Sequence, residues 1–162
     1  MESYAIIDIE GISLGKDRDY PPAGKYNKIH VCRRKVAVEL WDGRSLVLES
    51  VPCVPYTGLT TKERSSFSWC RKNIHELTYQ PFMSRLKCMD VADRIREFFI
   101  VNGVHHAYYK GGNIERDICY EIGINAFNLE DIGVPKAPTE LRHNPRAEVA
   151  FYHREMKRIL NL

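Results

Sequence analysis

Long apolar runs are missing from this 162-residue chain. No window approaches the roughly 20 apolar residues that a helix needs to cross a bilayer, so no membrane partner is expected. Cysteine is scarce and its spacing is uninformative. Cys32, Cys53, Cys70, Cys88 and Cys119 are odd in number, scattered, and form no C-x-x-C pair. They read as free thiols rather than as a disulfide framework. Repeats, low-complexity tracts and linker-like stretches are also absent, so residues 1–162 are expected to form a single domain around one core. A strong charge of one sign is lacking too: the net charge is +3, which permits a polyanionic partner without arguing for one. Met1-Glu2-Ser3-Tyr4 has neither a basic n-region nor a cleavage pattern, and an intracellular location is expected. The sequence leaves homo-oligomer formation open.

What is present is an ordered series of periodic segments. Tyr4 to Ile9 is short and apolar and reads as a buried strand. Residues 11–27 read as a loop. Residues 28–41 carry Ile29, Val31, Val36, Val38 and Leu40, and Asp42-Gly43 then leads into Ser45 to Val51. Two β-rich runs around Asp-Gly predict a hairpin. A short helix is expected near 62–78. From Asp90, Val91, Ala92, Ile95, Phe98 and Phe99 share a helical face that Gly103 ends. Val104 to Tyr109 reads as a strand. A helix follows Gly111-Gly112-Asn113 with Ile114, Ile118 and Ile122 inside and Gly123 as its stop. A short strand is expected at Ala126 to Leu129. Asn144-Pro145 opens a last helix with proline at its first position. The series predicts an α/β fold whose mixed central sheet begins with three antiparallel strands flanked by helices.

Carboxylates recur at the ends of these elements. Asp8 and Glu10 lie at i and i+2 on the first strand and so share a face. Two acids on a buried strand are costly unless something pairs with them, and a divalent cation would. Asp117 lies one turn into the helix opened by Asn113, beside its apolar stripe. His143 precedes the last helix and Glu148 lies one turn inside it, which suits a general base beside a metal ligand. Taken singly, each has a plainer reading as a solvated strand end, a flanking acid or a surface pair. The ordered set is more specific than its parts.

That set resembles the DEDDh exonucleases, a family of the RNase H-like superfamily that includes proofreading and RNA-trimming enzymes. Ile6-Ile7-Asp8-Ile9-Glu10-Gly11 is similar to its first motif. Asn113-Ile114-Glu115-Arg116-Asp117 has the Asn-x3-Asp spacing of its second. His143-Asn144-Pro145-Arg146-Ala147-Glu148 has the His-x4-acid spacing of its third, with Glu148 where the family has Asp. Arg116 stands where the family favours Phe, and the stretch from Asp117 to His143 is shorter than usual. The resemblance implies an RNase H-like fold and a 3′→5′ exonuclease acting on the 3′ ends of single-stranded RNA or DNA and releasing nucleoside 5′-monophosphates. It also implies that Asp8, Glu10, Asp117 and Glu148 hold two Mg²⁺ or Mn²⁺ ions, hard cations that take oxygen ligands. His143 would then take the proton of the attacking water. Gly11, Gly112, Asn113 and Tyr109 are the expected substrate contacts. A glycine pair at 111–112 lets a nucleotide backbone approach closely, and a tyrosine face stacks on a base.

The competing reading is a catalytically inactive RNase H-like nucleic-acid-binding module, similar in general layout to the Maelstrom domain, which carries a zinc site. Cys70, His75 and Cys88, or His105, His106 and Cys119, would have to serve as its ligands, and neither set has a recognised zinc spacing.

Overall fold

The computed structural model of the chain describes residues 3–13, 31–49, 61, 65 and 88–162. Five strands form one mixed sheet: β1 (Tyr4–Ser13), β2 (Val31–Leu40), β3 (Ser45–Glu49), β4 (His106–Tyr109) and β5 (Asn125–Asn128). Their spatial order is β3-β2-β1-β4-β5. The first three are antiparallel, while β4 and β5 run parallel to β1. The helices are α1 (Cys88–Val101), α2 (Asn113–Glu121) and α3 (Pro145–Leu160). The expected α/β fold with a mixed sheet opening on three antiparallel strands is the one observed.

Strand alternation divides β1 between two cores. Ala5, Ile7 and Ile9 face α1 and α2, meeting Ala92, Ile95, Phe99 and Ile118. Tyr4 and Ile6 face the opposite way, toward Val149, Tyr152 and Met156 of α3. Successive strand side chains point to opposite faces, so Asp8 and Glu10 fall on the α3 side. Burial of both faces of β1 explains why its sequence is almost continuously apolar up to Asp8.

The β2–β3 turn forms where Asp42-Gly43 predicts it. Gly43 has φ of 88°, a left-handed conformation that glycine adopts without steric cost. The Asp42 side chain accepts from the Arg44 N–H at 3.2 Å. The last helix also starts as expected, with the Asn144 side chain accepting from the Ala147 N–H and Pro145 in the first turn.

Several boundaries differ. β1 continues through Gly11 to Ser13, where a loop was expected from residue 11, because Gly11, Ile12 and Ser13 pair with Arg33, Cys32 and Val31 beyond a register irregularity at Glu10/Gly11. The strand expected at Val104 to Tyr109 starts at His106, and the one expected at Ala126 starts at Asn125. Between β5 and α3 the chain forms short 3-10 turns at Leu129–Ile132 and Thr139–Leu141. Thr61 and Ser65 are helical; the rest of the helix expected near 62–78 lies outside the described residues.

Candidate metal centre

β1 and α3 bring Asp8, Glu10 and Glu148 together. One carboxylate oxygen from each lies within 4.8 Å of those of the other two. Asp8 sits deepest, only 7% exposed. Its Oδ2 is buried without a hydrogen-bond partner among the described residues, a costly state for a carboxylate oxygen unless a ligand completes it. Burial, and then the charges of Glu148, Glu115 and Glu10, hold the Asp8 carboxyl well above the usual carboxylate range. Burial also raises Glu10 and Glu148, and His143 acts against the rise in both.

The start of α3 orients this group. Glu148 accepts from the His143 backbone N–H at 2.9 Å and from the Tyr152 hydroxyl at 3.2 Å. Each carboxylate oxygen is thus fixed by a different donor. His143 itself has φ of 66°, and this left-handed kink directs its N–H to Glu148. Its ring Nδ1 lies 3.4 Å from Glu10 Oε2, and its side chain is 45% exposed. The imidazole therefore stands between the acids and solvent.

The second motif contributes a different acid from the one expected. Asp117 is not in the pocket. Its side chain is 45% exposed and accepts from Nε and Nη2 of Arg116, both at 3.2 Å. Glu115 lines the pocket instead, together with Asp8, Glu10 and Glu148. It is 5% exposed and accepts from the Ile9 N–H at 3.0 Å. Burial raises its carboxyl from the ordinary 4.5 to about 7, against the opposing pull of backbone N–H donors. Helix geometry supplies the reason. Glu115 is three and four residues before the buried Ile118 and Cys119, and so lies on their face. Asp117 is three before Tyr120, which is 60% exposed. The i, i+3, i+4 spacing was therefore a signal in the sequence for Glu115. The Asn-x3-Asp match of the motif led to Asp117.

The expected substrate contacts divide in the same way. Gly112 lines the pocket and precedes the first residue of α2. Asn113 opens α2, but its side chain lies outside the described residues. Tyr109 is a core residue, 6% exposed and packed on the α1–α2 side, so it offers no stacking face. Gly11 belongs to β1, and its surroundings lie outside the described residues.

Neither zinc set comes together among the described residues. Asp8, Glu10 and Glu148 form the one group there whose ligand atoms converge. Cys119 is buried on the α1–α2 side. His106 lies on the opposite face of the sheet, edge-on to the rings of Tyr108 and Phe127. Cys70, His75 and the Cys88 side chain lie outside the described residues. A larger cavity of about 740 Å³, lined by Tyr4, Trp41, Tyr108 and Met156 among others, lies where β1 and β4 begin. The carboxylate pocket, about 440 Å³, lies toward their carboxyl ends. Only the smaller one holds converging acids.

The chain matches no known protein family, and no curated protein is detectably similar to it.

Proposed function

We propose that the chain is a metal-dependent nuclease of RNase H-like layout, a 3′→5′ exonuclease of the DEDDh type. The observation that carries this reading is the buried, unpartnered Oδ2 of Asp8 in a carboxylate group shared with Glu10 and Glu148. Three acids within 4.8 Å repel one another unless protonated or bridged by a cation. Their all-oxygen donor set fits Mg²⁺ or Mn²⁺ and disfavours a soft metal. Asp8, Glu10 and Glu148 would hold the metal, and Glu115 replaces Asp117 as the fourth carboxylate of a two-ion site. Bound there, the ions supply Lewis acidity to the attacking water and to the leaving 3′ oxygen.

The remaining work falls to the protein's own side chains. His143, beside Glu10 and open to solvent, accepts the proton of the attacking water and passes it outward. Tyr152 and the His143 N–H fix the orientation of Glu148. The open glycine turn before α2 leaves room for a nucleotide backbone.

The test is incubation of the purified protein with 5′-labelled single-stranded RNA and DNA in Mn²⁺, Mg²⁺ or EDTA. A ladder shortening from the 3′ end with either metal, and none in EDTA, is expected. Degradation undiminished by EDTA would sink the reading.

A further inference from the structure

The carboxylate pocket also carries the opposite charge. Lys110, Lys136 and Arg142 line it with the acids. Cations on the wall of a site that holds only a divalent metal weaken that metal by repulsion. A phosphate seated between metal and wall removes the conflict, since both attract it.

The three cations differ in how far they are already engaged. The Lys110 side chain is 8% exposed, and its Nζ lies 3.3 Å from Glu130. Arg142 donates through Nε to the Ala137 carbonyl at 2.9 Å. That is its one side-chain hydrogen bond among the described residues, and it leaves the paired Nη donors of the guanidinium fork unused. Lys136 is exposed and makes no hydrogen bond or ion pair with the described residues. Its backbone is nonetheless held. Val134 and Ala137 on either side are 2% and 1% exposed in the α3-side core. Pro135 and Pro138 further restrict the segment. A pinned backbone carrying an uncommitted cation into an acidic pocket is the arrangement a ligand anion uses.

Resting on the nuclease reading, we infer that Lys136 and Arg142 hold the backbone phosphate next to the cleaved bond of a single-stranded nucleic acid. They are positioning residues, and they should act on nucleic acid and on metal with opposite sign.

The test uses Lys136→Gln and the double variant Lys136→Gln/Arg142→Gln. A fluorescein-labelled single-stranded oligonucleotide is titrated in Ca²⁺ and in EDTA across a salt series, and Mn²⁺ binding is followed by calorimetry. Lys136→Gln should weaken oligonucleotide binding about three- to tenfold and lower the salt slope by about 0.7, one phosphate contact on a single strand. The double variant should lose more. Mn²⁺ affinity should stay the same or tighten in both. Lys136 is exposed and makes no hydrogen bond or ion pair among the described residues, so its variant reads the proposal even if the double variant folds poorly. Oligonucleotide binding unchanged in both variants, or absent in the unmodified protein, overturns the proposal. So does a parallel loss of oligonucleotide and Mn²⁺ binding, which a merely structural role would give. If the unmodified protein binds no Mn²⁺ and cuts nothing, yet Lys136→Gln still weakens oligonucleotide binding in EDTA, the nuclease reading falls and the phosphate wall stands.

Discussion

The backbone N–H of Ile9 donates to Oε1 of Glu115 across 3.0 Å, which ties α2 to β1 between the two acids of the first motif. β4 pairs with β1 only as far as Ile6 and Tyr108. Ile9 lies beyond that ladder, and a buried N–H without an acceptor is costly. Glu115 supplies the acceptor while lining the carboxylate pocket.

Glu115→Gln keeps a carbonyl oxygen for Ile9 and removes the charge. It should leave the fold as stable as before while weakening Mn²⁺ binding about 10- to 100-fold, with a comparable loss of cleavage. Asp117→Asn should stay within about twofold on both, as exposed substitutions generally do. Mn²⁺ calorimetry and the 3′-end assay on both variants decide it. A harmless Glu115→Gln beside an inactive Asp117→Asn would return the ligand role to Asp117.

Much of this geometry was legible in the sequence, because periodicity reports burial directly. The short apolar run from Tyr4 to Ile9 gave β1, the stripe Val149, Tyr152 and Met156 gave α3, and Asn144-Pro145 marked its first turn. Asp8, Glu10, His143 and Glu148 follow from those elements, since each sits at a fixed register on one of them. The continuation of β1 past Gly11 was not legible, because it depends on pairing with Cys32 and Arg33 rather than on local pattern. Glu115 was passed over for a different reason: its spacing from Ile118 and Cys119 marked the buried face, but the Asn-x3-Asp match drew the assignment to Asp117. An acid at a buried helical position contradicts hydrophobic patterning, and its stabilising partner, the Ile9 N–H, is 106 residues away.

The crowded acids predict an unusual pH dependence. Asp8, Glu10, Glu115 and Glu148 all have carboxyls raised in the fold by burial. A raised carboxyl binds protons more tightly when folded than unfolded, so its contribution is full below the ordinary value and is lost as pH rises. For Glu115 the window runs from 4.5 to about 7. The metal-free protein should therefore melt at a lower temperature near neutrality than near pH 5, a value within that window. Mn²⁺ should raise the neutral melting temperature by mass action, and Asp8→Asn should raise it without metal. Thermal melts across pH in EDTA and in Mn²⁺ test this. A metal-free melting temperature that climbs steadily toward pH 7 would contradict it.

A second buried network should behave in the opposite sense. Glu39, 8% exposed on β2, takes Nδ1 of His153 at 2.7 Å and Nη1 of Arg146 at 2.7 Å, while Nε2 of His153 meets the Tyr4 hydroxyl at 3.0 Å. The consistent tautomer has Nδ1–H donating to Glu39 and Nε2 accepting from Tyr4. Burial lowers the His153 pKa, with Glu39 acting against it. A depressed histidine contributes stability above its ordinary value of 6.5, and that stability is lost as pH falls through the folded pKa. Glu39→Ala strands two donors and should cost about 3 kcal/mol, against about 1 kcal/mol for Glu39→Gln. Urea unfolding of both variants measures the difference; equal, negligible costs would show that the network contributes nothing to stability.

His143 and Glu148 have to be tested with the backbone in mind. His143 holds a left-handed φ of 66° and gives its N–H to Glu148. His143→Ala would mix loss of the imidazole with strain, whereas asparagine tolerates this conformation. His143→Asn should keep the N–H bond and the metal affinity and lose roughly 10²–10⁴-fold in rate, the range of a general base. Glu148→Asp is the complementary change. It restores the residue type that the resembling family uses but withdraws the carboxylate by one methylene from the His143 N–H, the Tyr152 hydroxyl and the neighbouring carboxylates of Asp8 and Glu10 at once. A site built around the longer side chain should lose both Mn²⁺ affinity and rate in Glu148→Asp. His143→Asn should lose rate alone. If Glu148→Asp retains full activity, the bonds to His143 and Tyr152 do not set the carboxylate's position. If His143→Asn loses metal as well as rate, His143 acts through Glu148 rather than on the water.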